Sequence, residues 1–178
     1  MTTNRGAKPP IPVPVPLQDL SAKAAKVRMR TLKHLSKIPL NIAATSGCFD
    51  IIHAGHVYLF EWMRNAVGPK GQVVVLLNDD DYLLRAKGRV IVPLEQRMAV
   101  LLAMRNVDMV VPFEDDDPAL LVSRLEPNFW FKGPEYKGLD FPERSVVRAH
   151  GGQLVFVEYG PKVHTSDIIR EIKKVKKI

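Results

Sequence analysis

Hydrophobic and polar positions change their period several times along the chain, and each change marks an element. Short runs rich in β-branched and aromatic residues occur at Asn41 to Thr45, Gln72 to Asn78, Val107 to Phe113, Asn128 to Phe131 and Gln153 to Tyr159, and these are the predicted strands. Helical spacing begins between them near Ala54, Leu94, Pro118, Pro142 and Thr165. The run from Val73 to Leu77 is apolar without alternation, as a strand is when both faces of its sheet are covered. Strands that alternate with helices imply parallel crossovers. The predicted fold is therefore α/β, a Rossmann-like three-layer arrangement around a parallel five-stranded sheet. Ligands of such sheets bind beyond the carboxyl ends of the strands.

The amino-terminal part reads differently. Residues 1–16 hold five prolines, which remove backbone donors and favour an extended, unpacked tail. From Leu17 to about Ser36, Leu20, Ala24, Val27, Thr31 and Leu35 recur at helical spacing, so an amphipathic helix is expected ahead of the sheet, in one domain over 17–178. At 178 residues and 46% hydrophobic content, such a domain can bury a core without disulfides. No apolar run approaches the roughly 18 residues of a membrane span, and the proline-interrupted start lacks a secretory core, so a cytoplasmic protein without a membrane partner is expected. Cys48 is the single cysteine. The net charge of +7 gathers at Lys23, Lys26, Arg28, Arg30 and Lys33 and at Lys173, Lys174, Lys176 and Lys177. Without stacking aromatics these clusters read as solvated helix faces, so no nucleic-acid partner is expected; small polyanions remain compatible with the charge.

The chemistry concentrates in Gly47-Cys48-Phe49-Asp50-Ile51-Ile52-His53-Ala54-Gly55-His56, between the first strand and its helix. Two histidines three apart lie on one face of a helix's first turn, where free N–H groups and the helix dipole already favour an anion. Gly47 permits a tight turn and Gly55 leaves no side chain between the imidazoles, so a phosphate chain can approach the backbone. By itself a His-x-x-His pair is better read as a metal half-site or two surface histidines.

In its context the segment resembles the Gly-x-Phe-Asp-x-x-His-x-Gly-His signature of the HxGH nucleotidyltransferases, the superfamily of cytidylyltransferases and ADP-heptose synthases, at every fixed position. The likeness runs from Asn41 to Ile172 and is greatest to the adenylyltransferase domain of ADP-heptose synthase, through Asn78-Asp79-Asp80, Lys87-Gly88-Arg89, Arg97, Lys132-Gly133-Pro134-Glu135-Tyr136 and His164-Thr165-Ser166. Three positions depart from that pattern. His164 stands where the family usually has serine, Glu135 replaces an aspartate, and Asp117 replaces a threonine before Pro118 as a helix cap.

The resemblance implies roles. His53, His56 and Lys87 are the expected catalytic groups, the histidines donating to the triphosphate and Lys87 offsetting repulsion between two anionic substrates. Gly47, Cys48, Phe49, Gly55, Lys132, Gly133, Glu135, Thr165 and Ser166 join the histidines in the expected nucleotide site. Asp50, Asn78, Asp80, Lys87, Arg97 and Tyr136 are the expected acceptor contacts. Thr165 and Ser166 also fit a helix N-cap, Arg97 also fits a solvated helix position, and Asp79 and Asp81 read as turn residues. Cys48 and Phe49 read as packed residues, since nucleotidyl transfer needs no thiol. Magnesium is expected as a cofactor riding on the NTP phosphates rather than on a protein cage, with the acidic run Glu114 to Asp117 a solvated loop.

The resulting expectation is an enzyme that transfers AMP from ATP to a heptose 1-phosphate-like sugar phosphate. A cytidylyltransferase acting on an alcohol phosphate such as glycerol 3-phosphate is the alternative within that chemistry, and a nucleotide-binding regulatory module without turnover is the alternative outside it. ATP is favoured over CTP because cytidylyltransferases resemble one another in an arginine ahead of the last helix. Here that stretch reads Glu158-Tyr159-Gly160-Pro161-Lys162-Val163. A homodimer is the family-based expectation for assembly.

Overall fold

The computed structural model describes residues 41–114, 117–157, 160 and 163–175. The proline-rich tail and the amphipathic helix expected before residue 41 lie outside them. Five strands form one sheet in the order β3-β2-β1-β4-β5: β1 (Ile42–Gly47), β2 (Gln72–Asn78), β3 (Met109–Phe113), β4 (Phe129–Lys132) and β5 (Gln153–Phe156). Every neighbouring pair is parallel, with Ala44 opposite Val74 on one side of β1 and Trp130 on the other.

The unbroken apolar runs have the predicted cause. Side chains alternate across a strand, so Ala43, Val73, Val75, Leu77, Val110 and Phe131 face one core. Ile42, Ala44, Val74, Leu76, Val111 and Trp130 face another. The first face is covered by α1 (Ala54–Val67), through Phe60, Met63 and Val67, and by α3 (Leu94–Leu102), through Met98 and Leu101. The second is covered by α4 (Ala119–Leu125) and α5 (Glu143–Ala149), through Val122, Leu125 and Val147. Helices on both faces of one sheet make the three-layer Rossmann-like fold. No helix among the described residues is long and apolar enough to cross a membrane.

Two details differ from the sequence reading. Asp79 and Asp81, read as turn residues, lie at the N-cap and in the first turn of a further helix, α2 (Asp80–Lys87). Asp79 caps it by accepting from the Tyr82 N–H at 2.8 Å, Asp80 and Asp81 sit in its dipole-favoured first turn, and Gly88 closes it at φ 67°. Its low hydrophobic content hid it, because only Leu83 of its eight residues is buried. The fifth strand also ends earlier than expected, at Phe156.

The order of strands places the chemistry. Connections from β1 and β4 leave the sheet in opposite directions, since β1 is followed by β2 on one side while β4 pairs on the other. A crevice opens at that reversal, above the carboxyl ends of the two central strands.

Candidate active site

The loop from β1 into α1 carries the motif. Phe49 takes a left-handed conformation (φ 46°), uncommon for a residue with a side chain, and its ring packs against His56 at 4.9 Å and Phe60 at 5.6 Å between centroids. A Cβ on Gly47 would stand 3.0 Å from that ring, so glycine is what lets the phenyl fold back under the loop. His53 occupies the N-cap of α1, and its carbonyl accepts from the His56 N–H at 2.9 Å. The two imidazoles stack with centroids 3.8 Å apart. The Nδ1 atom of each is buried without a hydrogen-bond partner.

Burial, the neighbouring His53 and then His164 push the His56 pKa down to about 3, and burial followed by His164 lowers that of His53. At neutral pH both rings are therefore uncharged. A neutral imidazole still donates through one nitrogen, and its empty proton site titrates when an anion arrives.

Around this pair lies a cavity of about 490 Å³. The motif contributes Gly47, Cys48, Phe49, Asp50, Gly55 and both histidines. Lys87 reaches it from the end of α2, and Lys132, Gly133, Glu135 and Tyr136 line it from β4 and the 3₁₀ turn Pro134–Tyr136. Thr165 and Ser166 enter from the start of α6 (Thr165–Val175), where the Thr165 hydroxyl donates to the Ile51 carbonyl at 3.4 Å and ties this helix to the motif loop. Residues separated by more than a hundred positions thus meet at one sheet edge. Burial raises the Cys48 thiol pKa, against the lowering effect of Lys87 and Arg97, so the thiol stays protonated and packed. Burial also raises the Tyr136 phenol, with Glu135 adding to it, which keeps the phenol a donor.

Three expected acceptor contacts lie elsewhere. Arg97 is 1% exposed, and its guanidinium is spent inside the protein. Its Nε donates to the Val92 carbonyl (2.9 Å), Nη1 to the carbonyls of Cys48 (2.6 Å) and Asn78 (2.8 Å), and Nη2 to Asp80 Oδ1 (2.6 Å). The other Asp80 oxygen accepts from the Leu94 N–H at 3.2 Å. Asn78 is buried, with its carbonyl on Arg97 and its side-chain oxygen 3.9 Å from the Cys48 sulfur. These residues are not among those that line the cavity; they buttress the motif loop. Periodicity put Arg97 on a helix, but only packing decides which helix face is buried. Asp50 does both tasks, lining the cavity while its Oδ1 accepts from the N–H groups of Ile91 (3.1 Å) and Val92 (2.8 Å).

The structure also brings in residues the sequence reading did not place in the site. Arg89 lines the cavity with its buried Nε unpartnered. His164 lines it as the residue before α6, its carbonyl accepting from the Asp167 N–H. Ser46 and the buried Glu143 form a network with Lys132: Lys132 Nζ lies 2.9 Å from both Ser46 Oγ and Glu143 Oε1, and Ser46 Oγ donates to that same carboxylate at 3.1 Å. The basic residue after Gly88 was a visible signal for Arg89; nothing in the sequence pairs Glu143 with Lys132, 11 positions earlier, across a chain reversal. Among the described residues no group of three or more His, Cys, Asp or Glu side chains is arranged to hold a metal ion.

Comparison with known proteins gives the family and the fold. The model of the family described as cytidylyltransferase-like matches residues 44–171. Among curated proteins, the chain is similar to "Bifunctional protein HldE" of Aeromonas hydrophila, 38% identical over 135 residues, covering 75% of this chain and 28% of that protein. The protein of the same name from Proteus mirabilis is 41% identical over 135 residues, with the same coverage. The chain therefore spans little more than a quarter of the length of the curated relatives it matches. Among solved structures, the lipopolysaccharide core biosynthesis protein from Thermoplasma volcanium superimposes with a TM-score of 0.55 at 21% identity, over 67% of this chain and 97% of that one, a likeness of fold.

Proposed function

Since the chain belongs to the cytidylyltransferase-like family, we propose that it is a nucleotidyltransferase that moves AMP from ATP to a sugar phosphate of the heptose 1-phosphate kind and releases pyrophosphate. The observation that carries this reading is the uncommitted donor set at the cavity. Two stacked neutral imidazoles sit at a helix N-terminus with unpartnered ring nitrogens, and Lys87 and Arg89 line the same cavity with no carboxylate ion-paired to them among the described residues. Such an arrangement suits a polyphosphate, whose oxygens would supply the missing partners.

In this reaction a phosphate oxygen of the acceptor attacks the α-phosphorus in line, the bond to the β-phosphate bridging oxygen breaks, and its electrons leave with pyrophosphate. The nucleophile is already an anion, so the protein's task is to align two anions and stabilise the charge that shifts to the leaving group. His53 and His56 donate to the phosphates around the reacting centre. Lys87 and Arg89 bridge the two substrates. Thr165, Ser166 and the free N–H groups opening α6 hold the distal phosphates. Magnesium, when bound, supplies further charge neutralisation on the phosphates. Magnesium keeps few protein ligands and so would ride on the phosphates.

The identity with HldE proteins and the absence of arginine between Glu158 and Val163 support ATP and a sugar phosphate over CTP and an alcohol phosphate. A homodimer belongs to the same proposal, and sedimentation at a single-chain mass would remove that part of it. The test of the whole is pyrophosphate release with ATP or CTP against a set of phosphosugars and alcohol phosphates. A higher kcat/KM for ATP with a phosphosugar is expected. Preference for CTP would transfer the assignment to cytidylyl transfer, and tight nucleotide binding without turnover would favour a regulatory module.

A further inference from the structure

The Lys132 end of the cavity is built unlike the histidine end. Lys132 is 8% exposed and Glu143 is 3% exposed, and the two meet at 2.9 Å with Ser46 completing the triangle. Three rings surround the ammonium: Tyr136 at 4.8 Å, Phe141 at 5.5 Å and Trp130 at 5.6 Å from their centroids. The cation is thus already neutralised by one carboxylate and stabilised by three π faces before any substrate enters. An ammonium has three donors, and Glu143 and Ser46 take two. One remains for a ligand.

We propose that Glu143 is a positioning residue that sets what this end of the cavity accepts. By cancelling the charge of Lys132 and fixing its direction, it makes Lys132 a single oriented donor to an uncharged hydroxyl or carbonyl group of a substrate. The anionic groups are left to His53, His56, Lys87 and Arg89. A free lysine here would compete for the phosphates and allow the substrate to bind in reverse. This inference rests on the nucleotidyltransferase reading for what the substrate is. The uncharged group belongs either to the sugar of the acceptor or to the nucleoside, and the two Michaelis constants tell them apart.

The experiment uses the full chain with Glu143→Gln, which keeps an oxygen within reach of Lys132 and removes the charge, beside the neutral pair Lys132→Met with Glu143→Leu. Inorganic pyrophosphate is titrated calorimetrically, and KM is measured separately for ATP and for an accepted phosphosugar. Glu143→Gln should bind pyrophosphate roughly tenfold more tightly than the unaltered chain, because a buried ammonium without its counter-ion seeks another. It should raise one KM roughly tenfold while the other moves little, the size expected of one misdirected hydrogen bond. The acceptor KM rising assigns the group to the sugar, and the ATP KM rising assigns it to the nucleoside. The neutral pair should keep ordinary pyrophosphate affinity and raise that same KM. Unchanged pyrophosphate affinity in Glu143→Gln, or both constants moving together, overturns the proposal. If Glu143→Gln does not fold, the neutral pair decides alone: an unaltered KM for both substrates overturns it. Pyrophosphate binding needs no turnover, so an inactive but folded chain whose Glu143→Gln form gains affinity would reject the enzymatic reading and retain this one.

Discussion

Two polar regions meet at the motif loop, at the carboxyl edge of the sheet, and they treat their hydrogen bonds in opposite ways. Beneath the motif loop, Arg97 spends four donors on Cys48, Asn78, Asp80 and Val92 and is sealed from water. Above it, His53 Nδ1, His56 Nδ1 and Arg89 Nε are buried without partners. Buried polar groups in folded proteins are nearly always satisfied, so a cluster of exceptions at a cavity wall marks where a ligand supplies the bonds. Trp130 Nε1 and Arg144 Nε are also buried without partners and do not line the cavity, so the mark of the site is the gathering of three such atoms on one cavity wall.

The comparison breaks most visibly at Arg97. Arg97→Met strands three carbonyls and leaves Asp80, whose side chain is 37% exposed, without its partner; each stranded buried carbonyl costs about 1–3 kcal/mol. Thermal unfolding should fall by roughly 10 °C for a domain of this size, and differential scanning calorimetry would reveal it. An unshifted melting temperature would mean that the network is not a support.

Next in size are the histidines, whose removal should act on rate and spare stability. His53→Ala and His56→Ala are each expected to lower kcat about a hundredfold, typical of a donor lost where charge develops. Their melting temperatures should stay near that of the unaltered chain. Near-normal turnover in either variant would return the stacked pair to ordinary packing.

A pH measurement sharpens the same contrast. His56 has its folded pKa lowered to about 3, while the unfolded chain titrates near the ordinary histidine value of about 6.5. Below that value the unfolded state binds the proton that the folded state refuses, so this group costs stability as pH falls from about 6.5 toward 3. His56→Ala should lose less melting temperature over that window than the unaltered chain. A polyanion in the cavity opposes the effect, so binding of ATP at pH 6 should take up protons, seen as a buffer-dependent heat in calorimetry. Identical heats in buffers of different ionisation enthalpy would show that the imidazoles do not face the phosphates.

The smallest effect is expected at Asp50, which belongs to both regions. Asp50→Asn keeps the oxygen that accepts from Ile91 and Val92 and should change stability by less than about 1 kcal/mol. Asp50→Ala leaves both N–H groups unpaired and should cost about 1–3 kcal/mol. Equal melting temperatures for the two variants would show that these bonds do not hold the 89–92 loop.

What the sequence by itself determined was whatever depends on local pattern. Uninterrupted apolar runs without alternation specified strands covered on both faces. The spacing of His53, Gly55 and His56 after a strand specified a helix start with two imidazoles on one side, and the family likeness assigned Lys87, Lys132 and Thr165 to the same site. Asp79 to Lys87 escaped because a short helix held by caps and exposed charges carries almost no apolar stripe. The tertiary structure alone decided which polar residues are supports and which face the cavity. Arg97, Asp80 and Asn78 have the same composition as binding residues, and Glu143 reads as an ordinary first-turn helix carboxylate. Their roles follow from partners 19, 49 or 97 positions away. A hydrogen bond is satisfied in space and not along the chain, so its presence or absence becomes visible only when the sheet brings distant segments to one edge.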